Sequence, residues 1–190
     1  MAKNIYRKSI QDELLRSFDP HVHALTIIQE QHRMAHDGFM YHTSGKITGV
    51  ANGASVEVFM RTGTIPVHFT RAQFTLGRGD IDINTYEDTT VSADGTPIVI
   101  FNTNRISTNT PEMDIFGGAT IVTDGNQMHT LWAHPTGTGV GNAIGLSEVS
   151  NGEEWILKPA TNYMVRLTNN SGASITFSYE FLFYETDYIK

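Results

Sequence analysis

A chain of 190 residues suits one folded domain plus an extension, and 39% hydrophobic with 17% charged residues is a globular composition. A net charge of −7 argues against a duplex-binding surface, which needs a basic stripe, and the absence of cysteine excludes disulfides, thiolate metal sites and cysteine nucleophiles. There is no apolar run of about 18 residues and no charged-then-apolar leader over Met1 to Asp19, so the expectation is synthesis in a cytoplasm, with neither membrane nor nucleic acid as a partner.

The first element predicted is a short helix. Ser9 is its N-cap candidate, Asp12 and Glu13 favour its first turn, and Ile10, Leu14 and Phe18 share one face before Asp19-Pro20 stops it. Met1 to Arg16 carries Lys3, Arg7, Lys8 and Arg16 against Asp12 and Glu13, so a slightly basic arm precedes an acidic body. So short a helix is marginal alone and needs a surface to lie on, either the body of the same chain or a partner. From His21 to Met40 both states have support, and the β-branched Leu25-Thr26-Ile27-Ile28 tips the reading to strand.

After Gly45, short β-rich runs alternate with glycine, asparagine and aspartate turns. Strands are predicted around Val56 to Met60, Ile65 to Thr70, Ile81 to Asn84, Ile98 to Asn102, Ala119 to Thr123, Met128 to Trp132 and Glu154 to Lys158. Tyr163, Val165 and Leu167 alternate with polar or longer residues, and Ile175, Phe177, Tyr179, Phe181 and Phe183 form one apolar face of the last run. Asn169-Asn170-Ser171-Gly172 lies between these two runs, which reads as an antiparallel hairpin. Thr103 to Gly118 and Ala133 to Gly152 read as long loops, of the kind that form contacts or carry function. About ten short strands imply a sandwich or barrel, and a jelly roll is the commonest route to that count. The chain is therefore read as all-β: residues 1–20 a helical or extended arm, residues 21–190 a jelly-roll β-sandwich.

Chemical signatures are weak. His21-x-His23 resembles the opening of a cupin metal motif, but the next acid, Glu30, stands too far on and no second half-motif surrounds His134-Pro135. His32 and His36 have the spacing of a helical zinc pair, yet Arg33 stands where the catalytic glutamate would be. No G-x-S-x-G elbow is present, and Gly137-x-Gly139-x-Gly141 lacks the lysine and helix of a phosphate loop. Asp80 with Asp82, Glu87 with Asp88, and Glu153 with Glu154 are sequence neighbours, which says nothing about a cleft. Trp132 and Trp155 suit buried packing or a sugar-stacking surface. The expectation is a non-enzyme with no catalytic, cofactor or metal residues.

His32-Arg33-Met34-Ala35-His36-Asp37-Gly38 resembles the start of the jelly-roll body in the head decoration, or cement, proteins of tailed phages. Trp155 to Tyr163, Arg166 to Asn169 and Phe177 to Glu185 are similar to the closing strands of the same group. The resemblance implies a structural virion protein, synthesised in the host cytoplasm, that binds the major capsid protein on the capsid surface as a homotrimer and stabilises the lattice. It brings no catalytic residues. Ile10, Leu14 and Phe18 are the expected capsid-docking residues, and the competing expectation is a receptor- or glycan-binding module of a virion appendage.

Overall fold

The computed structural model describes residues 18–19, 24–25, 30–76, 79–133, 144–147 and 154–187. The chain divides into two compact units, Met1–Arg33 and Met34–Lys190. In the first, β1 (Phe18–Asp19) pairs antiparallel with β2 (Ala24–Leu25), Phe18 opposite Leu25. Phe18 is thus extended rather than helical. Asp19 precedes Pro20, whose ring disfavours the helical region for its neighbour, and the extension reaches back to Phe18. Ile10, Leu14, His21 and His23 lie outside the described residues.

The strand reading of residues 21–40 holds at β2 and fails from Glu30, where the eight-residue helix α1 (Glu30–Asp37) begins. Its sequence contains no β-branched residue, so the argument made on Ile27 and Ile28 does not extend to it. Gly38 ends the helix at φ 77°, with Phe39 N–H donating to Met34 O and Gly38 N–H to Ala35 O, a Schellman closure. A side chain at Gly38 would also strike Ser107.

The second unit is all β: β3 (Met40–Val50), β4 (Ser55–Arg61), β5 (Val67–Leu76), β6 (Ile81–Glu87), β7 (Thr90–Ala93), β8 (Thr96–Pro97), β9 (Phe101–Asn102), β10 (Asp114–Gly117), β11 (Thr120–Thr123), β12 (Asn126–Ala133), β13 (Ile144–Ser147), β14 (Trp155–Leu157), β15 (Asn162–Asn169) and β16 (Ile175–Glu185). One sheet runs β12-β6-β15-β4-β10-β8. The other runs β13-β5-β16-β3-β9, with β14 also on β5. The chain changes sheet at each step from β3 to β6, β6 and β12 pair in one sheet although the strands between them visit both, and the chain changes sheet again through β14, β15 and β16. β15 and β16 therefore do not form the expected hairpin. Their turn reverses the chain, but β15 joins β4 and β6 while β16 joins β3 and β5. Buried Asn169 fixes this crossing, its amide donating to Val50 O and Ala173 O while its carbonyl accepts from Ser171 N–H.

Period-two alternation sends Val58, Met60, Ile81, Ile83, Val165 and Leu167 from one sheet, and Phe177, Phe181 and Phe183 from the other, into one core, and a register shift of β5 opposite Leu182–Phe183 lets both Phe69 and Phe74 join them. Phe181 meets Phe69 and Phe74 edge-on, at ring centroid distances of 5.7 and 5.9 Å. A smaller cluster joins Met34 of α1 to Met40 and Tyr184, with Ala35 and Leu182 beside it.

Candidate functional site

Residues 88–125, between β6 and β12, form an insert that works on both sheets. Its β10 covers the edge of β4, its β9 the edge of β3, and β7 pairs with β11 in a separate ribbon. The expected loop Thr103 to Gly118 thus includes a strand that is part of the sheet, whereas of Ala133 to Gly152 the described part beyond β12 is the backbone of β13 on β5. An uncovered edge is a template for unwanted pairing, and the insert occupies two of them.

Phe59 and Met164 alternate out of phase with the core positions of β4 and β15, yet both are 0% exposed. The groups latched across that outer face explain the burial. Arg61 forks onto Asp94, with Nη1 3.0 Å from Oδ2 and Nη2 2.6 Å from Oδ1, and its guanidinium lies 5.5 Å from the Phe59 ring centre. Arg166 forks onto Asp124 at 2.7 and 2.8 Å, donates to Glu57 at 3.0 Å, and stacks over Tyr86. Asn162 donates to Thr89 O at 3.0 Å, and Thr89 in turn donates to Asp124 O at 2.6 Å.

A third latch reaches the far end of the insert. Glu112 accepts from the hydroxyl and N–H of Thr64, both at 2.7 Å, and the N–H groups of Glu112 and Met113 donate to the buried carboxylate of Glu185. Asp94, Glu112 and Asp124 sit below the usual carboxylate range because Arg61, Thr64 and Arg166, in that order, donate to their charged forms. Glu185 is raised, since burial outweighs its two backbone donors, and Tyr41 is pushed up to about 12 by burial and the nearby Glu185 charge.

Four of the six sequence-adjacent carboxylates serve as structural acceptors, and Glu153 lies outside the described residues. Glu87 takes Lys158 Nζ at 2.6 Å and the Tyr163 hydroxyl at 3.0 Å. Asp88 occupies a turn at φ 63° and accepts from Asn126, Asp82 accepts from Asn170, and Glu154 joins His68 and Tyr184. His68 stacks on Tyr184 at 4.6 Å, and its buried Nε2 has no partner among the described residues. His32 and His36 are both exposed on α1, and no group of three metal-ligating side chains occurs among the described residues. Trp155 is half-buried, edge-on to His129 at 5.4 Å, whereas Trp132 is 61% exposed.

Two surface features have the makings of binding. The exposed apolar side chains Val99, Phe101 and Ile106 gather on the insert, and Met128 and Trp132 stand on β12. On the outer face of β3, β5 and β16, an open groove of about 420 Å³ is lined by Ser44, Lys46, Gln73, Ser178 and Glu180. The sequence reading found two strands of the insert, overlapping β9 and β11, but not β7, β8 or β10, although Gly95, Gly117-Gly118 and Gly125 punctuate short Thr/Val runs at the spacing of a ribbon.

No protein-family model, no curated protein and no solved structure matches this chain. What it does is therefore argued from its own geometry.

Proposed function

We propose that this chain is a jelly-roll head decoration protein, binding the major capsid protein on the outer surface of a phage capsid as a homotrimer and stabilising the lattice. The observation that carries the reading is the strand order. The second unit switches sheets in the sequence of two interlocked Greek keys, with β6–β12 as the pair that stays together, which supports a jelly roll. The segments that resemble decoration proteins coincide with α1 and its Gly38 closure and with β14, β15 and β16. Residues 88–125 fit the same role: a lattice clamp works by adding interface area, and the insert supplies exposed apolar side chains on a framework latched at three carboxylates.

The test is solution mass by light scattering, followed by co-sedimentation of the same sample with undecorated phage heads. A trimer that pellets with heads is expected, and protein left in the supernatant overturns the reading. A glycan-binding module is the second reading, favoured by the polar groove at Ser44, Lys46, Gln73, Ser178 and Glu180, whose mixed hydroxyl, amide and charged groups suit sugar hydroxyls. Specific retention on a glycan array, lost in Q73A/E180A, is the outcome that would favour it.

A further inference from the structure

Most of the exposed large apolar side chains described in the second unit stand at opposite ends of the strand orders, with Phe39 just before β3 and Val122 on the β7–β11 ribbon lying apart from them. At one end, β9 holds the edge of β3, and around it stand Phe101 at 45% exposure, Val99 at 65% and Ile106 at 92%. At the other, β12 is the last strand of its sheet and presents Trp132 and Met128. Trp155 of β14 meets His129 of β12, so the corresponding edges of the two sheets come together there. At the β9 end, residues 98–100 link β8 in one sheet to β9 in the other. These are two unlike edges of one sandwich.

The two edges also differ in charge, with Arg105 at one and Asp82 at the other. Arg61, Arg71 and Arg166 in this unit all hold a carboxylate. Arg105 holds none among the described residues and instead lies 5.5 Å from the ring centre of exposed Phe101. Asp82 is the cross-strand partner of Trp132, on the same sheet face, and accepts from Asn170 at 2.8 Å with no cation on it among the described residues. Basic and aromatic stands at one edge, acidic and aromatic at the other.

We infer that the Arg105–Phe101–Ile106 edge of one copy docks on the Asp82–Trp132 edge of the next, head to tail, the occupant of each edge being a second copy of this chain. Two like edges face to face would oppose Arg105 to Arg105 or Asp82 to Asp82, whereas unlike edges bring cation to carboxylate between two aromatic surfaces. Contacts between unlike surfaces propagate around a ring, and closure at three copies gives a trimer without a two-fold axis. This inference rests on the trimer in the reading above and assigns its interface.

The test compares R105E, D82K and the double variant R105E/D82K with the wild-type chain by light scattering, each first shown to melt cooperatively by circular dichroism. Each single variant places like charges across the interface and is expected to raise the half-assembly concentration by about tenfold or more. The double variant restores the opposition with signs reversed and is expected to assemble like the wild type. Single variants that assemble normally, a folded double variant that stays dissociated, or a monomeric wild-type chain would each overturn the assignment. Co-sedimentation with heads is scored separately, so a trimer that ignores these charges but pellets with heads sinks the interface and leaves the decoration reading standing.

Discussion

Arg166 lies within hydrogen-bonding distance of three carboxylate oxygens, one of Glu57 and two of Asp124, with Tyr86 beneath it. Its pKa is raised, chiefly by the Asp124 hydrogen bonds, against the opposing effect of burial. Only a planar fork satisfies that arrangement, so lysine is no substitute. R166A should lower the unfolding free energy by about 1.5–3 kcal/mol, the range for hydrogen bonds to charged groups. R166K should recover part of the loss, and urea denaturation with an unchanged m-value is the check. Equal stability of R166A and wild type would show that the fork contributes nothing net. None of these partnerships is readable from spacing, because Glu57 and Asp124 stand 109 and 42 positions from Arg166. Asn169 was legible as a turn residue, since asparagine hydrogen-bonds its local backbone readily, but its reach to Val50 O was not.

At the scale of elements, residues 88–125 are fastened by carboxylates, which makes them acid-labile. Asp94, Glu112 and Asp124 have pKa values lowered by their donors. A group lowered on folding stabilises the fold above its unfolded value of about 4 and loses that contribution as pH falls through its folded value. Glu185, raised by burial, acts in the opposite sense: its charge costs stability above the usual range, and acid relieves the cost. Three latches act against one. Below about pH 4, hydrogen exchange corrected for intrinsic rate should therefore rise in 88–125 before it rises in β15 and β16. In D94N/D124N that early rise should be much reduced. Simultaneous opening of insert and core would contradict the latch account. Strand existence along 55–87 and 155–185 was legible from alternation, whereas β3 was not. Gly45, Gly49 and the Thr/Ser content of Met40–Val50 dilute its pattern, and it forms because β16 pairs along it. Partner choice failed at β15–β16 because a turn fixes direction reversal and leaves the sheet undetermined.

For the whole molecule, the candidate sites divide between what patterning shows and what only assembly shows. Sequence reading placed docking on Ile10, Leu14 and Phe18. The test is the triple serine variant, expected to remain folded and trimeric while losing co-sedimentation with heads, and full retention would remove the arm from the docking account. The exposed edges were invisible in sequence, because a strand residue such as Trp132 looks the same whether its face is covered or open. Sheet order is also a statement about time. β16, the last of the described strands in chain order, sits between β3 and β5 at the centre of its sheet, so neither neighbour has its inner partner until Ile175–Glu185 has been made. Such long-range closure folds slowly and late. Ribosome-bound chains should stay protease-sensitive until Glu185 clears the exit tunnel, and chains ending before Ile175 should never become resistant. The fold thus screens its own products: a chain cut short of β16 fails to form the sandwich at all, and such copies are kept out of any assembly built from it.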